Sequence, residues 1–328
     1  MNKKFNHVLL VSTFKETFID QDINLLNQFC SLKCVIESGP KALIEIISKL
    51  NSSRVVFIWF GSMYAFYTVL LSKIFQKKSI ICLGGADVSS IPEIGYGIWL
   101  KHWKRPFLRF TMRYADKLLP VASSMIPIIK KNSRYDGRNI EFLSTCVDTN
   151  KWSPNGQKKR MVLTVGICQN EVRLKKKGID FFIETANRLS KIQFMIIGTT
   201  PEILKHAGLN LPENVKVLPK MKHEELLQYY QQTFVYCQPS RSEGIPNTLL
   251  EAMSCGCIPV GTDADGIPEA IGQTGKVVPV GDIDSLTVAI KKTLSWEDER
   301  GGVARERILE HFPLSKRAER LKEIIAEL

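Results

Sequence analysis

The sequence predicts an α/β protein built from two doubly wound Rossmann-like domains facing a cleft. Three observations carry this expectation. Short apolar runs are nearly continuous, as strands buried on both faces require, and stretches of helical spacing separate them. The strand–helix alternation occurs twice, on either side of the polar, turn-rich segment Cys146–Gly156 (CVDTNKWSPNG). A length of 328 residues suits two domains.

The elements follow in order. Asn6–Thr13 (NHVLLVST) reads as the first strand. Only four consecutive apolar residues, Val8–Val11, follow the N-terminal lysines, too few for a secretory core, so a cytoplasmic protein is expected. Arg54–Phe60 (RVVFIWF) and Ser79–Leu83 (SIICL) are strands, with helical spacing over Tyr64–Phe75 between them. A helix ending near Ala115 and Asp116 leads to a strand at Lys117–Ala122, helical character over Ser123–Lys131 and a short strand at Ile140–Leu143. Beyond the polar break, strands are expected at 161–166, 193–198, 215–218, 234–238 and 258–261. Helices are expected at 179–189, 224–232, 248–254, 285–294 and 316–328. In such sheets ligands lie at the carboxyl ends of the strands, here in the cleft between domains.

Composition excludes several classes. With 44% hydrophobic and 24% charged residues the chain is neither disordered nor collagen-like, and no apolar run approaches the roughly 18–20 residues that span a bilayer. The eight cysteines are scattered without metal-ligand spacing and read as buried free thiols, so no metal is expected. The net charge of +12 is uneven: residues 1–150 hold 20 basic and 11 acidic side chains, residues 151–328 hold 25 and 22. A basic N-terminal half implies an anionic partner, such as a membrane surface or a phosphate-bearing substrate.

Pro239–Glu269 is the most informative stretch. A strand ends at Gln238, a loop holds Glu243, Gly244 and Pro246, and a helix begins at Asn247 or Thr248, either of which can cap it. Gly256 suits the helix end. Glu251 shares a helix face with Asn247 and Thr248. The helix N-terminus suits a phosphate. Carboxylates on both sides of a phosphate site fit a nucleotide sugar; a capped helix with two solvated glutamates fits the spacing equally well.

Glu243 and Glu251 form E-x(7)-E. The string SRSEGIPNTLLEAMSCGCIPV followed by TDADGIPE resembles the donor site of glycosyltransferase family 4, retaining enzymes of the GT-B fold. The resemblance extends through most of the second half, in MVLTVG (161–166), KKGIDFFIETANRL (176–189), FMIIG (194–198), NVKVLPKMKHEELLQYYQQ (214–232) and GKVVPVGD (275–282). It implies that Glu243 holds donor-sugar hydroxyls, that Glu251 holds the ribose and that Lys177 grips the diphosphate. It also implies donor contacts from Gly166, Gly198, Gly244, Ile245, Pro246, Asn247 and Thr248. The family pairs its lysine with an arginine directly after the strand glycine. Ile167 stands there instead; Arg173 is the substitute expected, with Lys175 or Lys176 as alternatives. Asp263 and Asp265 mimic a metal-binding D-x-D, but they occupy the TDxGGIPE position of the resemblance and are not expected to hold metal.

The N-terminal half departs further from the family. The loop after the first strand, Ser12-Thr13-Phe14-Lys15, lacks the family's glycines. Gly84-Gly85-Ala86-Asp87 stands where many members carry His-Gly-Ser-Asp. Asp87 is retained, as a candidate contact to donor sugar or acceptor or as a turn cap. Lys101–Lys117 carries six basic residues and one acidic, interleaved with aromatics. Lys101, Lys104, Arg105 and Arg109 are therefore expected at an acceptor site or an anionic membrane.

The expected protein is a metal- and cofactor-independent retaining glycosyltransferase of surface-polysaccharide synthesis, moving a sugar from a nucleotide sugar to a glycan or lipid-linked glycan. It is cytoplasmic, peripheral on the inner face of the membrane, and not a nucleic-acid binder. Residues 1–157 would bind acceptor, 158–305 the donor, and 306–328 would cross back to the first domain. A catalytically silent nucleotide-sugar-binding or scaffold subunit of a transferase complex is the alternative, supported by the missing histidine and glycine loop.

Overall fold

The computed structural model describes residues 7–328. Asn6 and the N-terminal lysines Lys3 and Lys4 lie outside the described residues. The chain divides into two units, Met1–Thr145 with Leu314–Leu328, and Cys146–Pro313. Each is a parallel sheet with helices, the Rossmann-like arrangement.

The first unit holds β1 (His7–Ser12), β2 (Ser31–Ile36), β3 (Val55–Trp59), β4 (Lys78–Leu83) and β5 (Lys117–Pro120), in the order β2-β1-β3-β4-β5. Its main helices are α1 (Thr17–Phe29), α2 (Pro40–Leu50), α3 (Met63–Ile74), α4 (Arg105–Tyr114) and α5 (Met125–Ser133). The three inner strands are apolar because both faces are covered: every residue of β3 is buried, as are Val8–Ser12 and Ser79–Leu83. Ile140–Leu143 is not a strand. It runs beside β5 with one bridge, Leu118 to Ile140. Its backbone pairs with β5 through Leu118 N–H to Asn139 O at 2.8 Å, Glu141 N–H to Leu118 O at 2.9 Å and Leu143 N–H to Pro120 O at 3.1 Å, and Arg317 takes the carbonyls of Leu143 and Ser144 at its outer end.

The second unit holds β6 (Lys159–Val165), β7 (Gln193–Ile197), β8 (Val215–Leu218), β9 (Thr233–Gln238), β10 (Ile258–Thr262) and β11 (Lys276–Val278), in the order β11-β10-β9-β6-β7-β8. Its helices are α6 (Glu171–Lys177), α7 (Ile179–Arg188), α8 (Pro201–His206), α9 (Leu226–Gln232), α10 (Asn247–Ser254), α11 (Ile267–Ile271), α12 (Ile283–Leu294) and α13 (Arg300–His311). Phe182, Phe194, Phe234 and Ile290 lie in one buried cluster that ties α7 and α12 to the sheet.

The unit boundaries fall at 145/146 and 313/314 rather than at 157/158 and 305/306. The polar segment Cys146–Gly156 is anchored, not free. Trp152 is 1% exposed and packs against Tyr230 and His223. Val147 N–H donates to Phe312 O at 2.9 Å. α13 stays with this unit because the Arg305 guanidinium donates to the carbonyls of Thr149, Trp152 and Ser254. The last helix, α14 (Leu314–Glu327), belongs to the first unit, where Lys117 bonds Glu327 at 3.0 Å.

Candidate active site

In the second unit, the chain between Gly166 and Gly178 is not an open loop. The Asn170 side chain caps α6 by accepting from Arg173 N–H at 3.0 Å, and Gly178 ends the helix in the left-handed region at φ +67°. Only glycine fits there, since a Cβ would stand 1.8 Å from Pro239 O. The tight turn sets Lys176 and Lys177, in the last turn of α6, against the carboxyl end of β9. Gly166 lets the Lys177 stem pass: a Cβ at 166 would lie 3.2 Å from its Cγ and Cδ.

Glu243 is the centre of this cluster. Its Oε1 pairs with Lys177 Nζ at 2.6 Å and accepts from Ser240 Oγ at 3.1 Å; its Oε2 pairs with Lys176 Nζ at 2.9 Å. Burial opposes the charge, but Lys176 and Lys177 outweigh it and hold the carboxyl at about 2. The loop carrying Glu243 is braced from two sides. Arg241 donates to both oxygens of Asp180 at 2.8 and 2.6 Å, and its guanidinium stacks on Phe181 at 3.8 Å. Asp265 Oδ2 accepts from Ser242 Oγ at 2.7 Å and from the Glu243 N–H at 2.9 Å. Asp265 has φ +43°, at the position where the resemblance expects glycine. Asp263 instead accepts from Val280 N–H at 2.9 Å. The two aspartates thus face different partners.

α10 begins at Asn247, with Pro246 in the N-cap position and no side-chain cap. Asn247 and Thr248 therefore lie inside the helix, because Pro246 already holds the extended conformation that a cap needs. The helix start has no side-chain cap, and its positive dipole end suits an anion. Gly244, Ile245 and Glu251 are buried. Glu251 is 3% exposed; Oε1 bonds His223 Nε2 at 2.7 Å and Oε2 accepts from Tyr230 O–H at 3.3 Å. A carboxylate has about four acceptor positions, so roughly two remain for a ligand. Gly198, at φ +111°, closes the end of β7 against Gly166; a Cβ would lie 2.3 Å from Gly166 O.

The structure thus brings Glu243, Lys177 and Lys176 together. Arg173 is exposed on α6, and Lys175 pairs with Glu171 at 2.6 Å. The first-unit residues are placed differently. Asp87 is 4% exposed, and backbone N–H groups engage both oxygens: Gly61 at 3.0 Å on Oδ2, Gly85 at 2.8 Å and Gly84 at 3.2 Å on Oδ1. It ties the ends of β3 and β4 together. Of the basic stretch, Lys101 is exposed, Lys104 lies 5.2 Å over the Trp103 ring, and Trp103 is 63% exposed. Arg105 and Arg109 donate to Trp99 O and Asn132 O at 2.8 and 3.4 Å.

Sequence reasoning gave no role to Ser240, Arg241, Asp180, His223 or Tyr230. Arg241 and Asp180 are 61 positions apart, so no spacing links them. His223 and Tyr230 lie inside the string NVKVLPKMKHEELLQYYQQ, which was itself the available signal.

The chain is similar to known proteins in sequence and fold. It is 28% identical over 216 residues to a GDP-mannose-dependent alpha-(1-6)-phosphatidylinositol monomannoside mannosyltransferase of Mycolicibacterium smegmatis, covering 57% of this chain and 56% of that one. It is 29% identical over 181 residues to the O-antigen biosynthesis glycosyltransferase WclY of Escherichia coli, covering 51% and 46%. The matched part spans about half the length of each relative. Among solved structures, sucrose-phosphate synthase from Thermosynechococcus elongatus superposes with a TM-score of 0.78 at 14% identity, over 98% of each chain. Anabaena HepE in complex with UDP-glucose superposes with a TM-score of 0.77 at 12% identity, over 98% of this chain and 100% of that one. These neighbours share the fold, that of GT-B glycosyltransferases. Residues 159–295, which carry Glu243, Glu251 and both lysines, match the family described as glycosyl transferases group 1.

Proposed function

We propose that this chain is a retaining glycosyltransferase of family 4, moving a sugar from a nucleotide-sugar donor to a glycan or lipid-linked glycan in surface-polysaccharide synthesis. The observation that carries this reading is the buried Glu243 paired with both Lys177 and Lys176 beside the uncapped start of α10. The relatives matched include a mannosyltransferase using GDP-mannose and an O-antigen glycosyltransferase.

Each residue has a role in this reading. Glu251 takes the ribose hydroxyls on its free acceptor positions. The positive N-terminal end of α10 attracts the diphosphate. Lys177 shifts from Glu243 to the diphosphate and stabilises it as it departs with negative charge. Lys176 stays on Glu243 and keeps it ionised, and Glu243 accepts hydrogen bonds from the donor-sugar hydroxyls. The departing phosphate takes the acceptor proton on the face it leaves, so the anomeric configuration is kept. The protein supplies positioning and electrostatics. The positive charge at the diphosphate comes from side chains and a helix terminus, with no cofactor or metal in the scheme. The first unit binds the acceptor, and its basic α4 region rests on an anionic membrane at the cytoplasmic face.

The test is nucleotide release from a panel of UDP-, GDP- and ADP-sugars. One donor should turn over in the parent and stop in Glu243→Ala and Lys177→Ala. Gly84-Gly85 in place of the family's histidine favours the second reading, a silent donor-binding subunit. Tight donor binding without turnover across a broad acceptor pool would establish that reading instead.

A further inference from the structure

In an open parallel sheet, ligands bind where the strand order reverses, beyond the carboxyl ends of the strands. The order β2-β1-β3-β4-β5 puts that point between β1 and β3. The loops leaving these two strands each supply a phenylalanine. Phe14 follows β1 and Phe60 follows β3, and their rings stack with centroids 5.1 Å apart and planes inclined by 28°. Phe14 is 44% exposed although an aromatic ring gains most from burial.

Phe60 is the anchored member of the pair. Phe60 stands at φ +72°, a left-handed conformation that is an outlier for a bulky residue and persists only where its surroundings enforce it. Its neighbours do so. Trp59 and Phe18 pack on the Phe60 ring at 5.4 and 6.0 Å. The Trp59 indole is fixed by Asp22 at 3.0 Å. Gly84 completes the seat: a Cβ there would lie 2.8 Å from the Phe60 ring. The ring therefore occupies the space that a side chain at position 84 would need, in the string where family members carry histidine. Asp87 pins the backbone of Gly61 and Gly84 on either side.

We propose that Phe14 and Phe60 form a stacking platform for a pyranose ring of the acceptor. This rests on the glycosyl-transfer reading above. The size of the exposed surface selects the ligand. Phe14 is exposed and Phe60 half-buried, and the border is polar: Thr13 and Lys15 flank Phe14, and Ser12 Oγ donates to Phe14 O at 2.8 Å. A sugar ring has an apolar C–H face of that size and hydroxyls at its rim. An acyl or polyprenyl chain would need a long apolar groove.

The experiment is saturation-transfer NMR on the whole chain with methyl glycopyranosides of glucose, galactose, mannose and N-acetylglucosamine, and with octyl glucoside. Ring C–H protons of at least one methyl glycoside should take up saturation. The effect should fall roughly fivefold in Phe14→Ala, as loss of one stacking contact implies, and survive in Phe14→Trp. Phe60→Asn, which tolerates the left-handed backbone, should lose it as well. Absence of ring saturation in the parent, indifference to Phe14→Ala, or saturation confined to the octyl chain would overturn the platform. Donor turnover is measured on the same samples. Turnover that persists without ring saturation overturns the platform alone; ring saturation with no turnover of any donor overturns the transfer reading alone.

Discussion

Arg317 on the last helix grips Asp22 on the first with two charge-assisted bonds of 2.6 and 2.7 Å, and the two residues are only 3% and 1% exposed. The guanidinium also lies 5.7 Å from the Trp59 ring. The pair closes the first unit across 295 positions of sequence. Removing one partner strands a buried charge, which costs about 3–5 kcal/mol. Arg317→Leu should therefore lower the urea midpoint strongly and raise hydrogen exchange in β1 and β3. The double change Asp22→Leu with Arg317→Leu should recover part of that loss. A double variant no more stable than the single one would show that packing of α14, not the charge, dominates.

Glu243 makes a pH-dependent contribution of definite sign. Its carboxyl is held at about 2 against an ordinary value of 4.5, so it is ionised in the folded protein where the unfolded chain would begin to take up a proton. The stabilisation is complete above about pH 4.5 and is lost as pH falls from there towards 2. Glu243→Gln should lower stability at neutral pH, leaving two lysines without their counter-charge, and should flatten the decline over that window. Urea midpoints at neutral pH and at two points within the window check this. An equally steep decline in the variant would place the titrating group elsewhere.

The donor half was the more legible because its signal is local. Glu243 and Glu251 are eight residues apart on one loop and one helix, so their spacing survives in the sequence. The first unit reads less clearly. β2 is a sheet edge with one buried residue in six, which leaves little apolar pattern, and α1 and α2 were missed with it. Residues 171–177 carry two helix signals, Asn170 as cap and Gly178 as stop, but seven residues are too few to show an apolar period, and no helix is expected there from the sequence. Residue type alone points to Arg173; the end of α6 is what turns the adjacent Lys176 and Lys177 towards one carboxylate. The turn-cap reading of Asp87 matches its bonds to the N–H groups of Gly84 and Gly85, whereas its reach to Gly61 and the grip of Asp265 on the Glu243 loop depend on long-range contacts that no spacing encodes.

The lysines should therefore separate from the arginine in a mutational series. Lys177→Ala should abolish nucleotide release, Lys176→Ala should reduce it at least roughly tenfold by freeing a buried charge-paired carboxylate, and Arg173→Ala should change it by less than about twofold. Initial rates with a fixed donor measure all three. A large loss in Arg173→Ala would return the second diphosphate contact to that residue.

Asp265 offers a backbone test of the Glu243 loop. Its left-handed φ of +43° suits Asp, Asn or Gly, and its carboxylate receives Ser242 Oγ and Glu243 N–H. Asp265→Asn keeps the backbone and an acceptor oxygen and should cost little. Asp265→Gly keeps the backbone alone and should lose activity through a slack loop. Asp265→Ala loses both and should also destabilise by about 1–3 kcal/mol. The order Asn, Gly, Ala in both kcat and unfolding midpoint is the expected result. Equal behaviour of all three would remove Asp265 from the positioning of Glu243.

The α4 region makes a prediction about surfaces. Trp103 is 63% exposed beside Lys104, and residues 101–117 carry six basic side chains against one acidic. An exposed indole flanked by basic side chains suits the interface of an anionic bilayer, where each nearby cation contributes about 1 kcal/mol. Co-sedimentation should show binding to vesicles containing phosphatidylglycerol at low salt and release as ionic strength rises, because the attraction is screened over about 10 Å at 0.1 M salt. Trp103→Ala should weaken binding several-fold without moving the unfolding midpoint, since its ring is mostly in solvent. Replacing Lys101 and Lys104 by glutamine should weaken it further and flatten the salt dependence. Binding to neutral vesicles as strong as to anionic ones, or none to either at low salt, would assign the basic residues of this stretch to the acceptor instead.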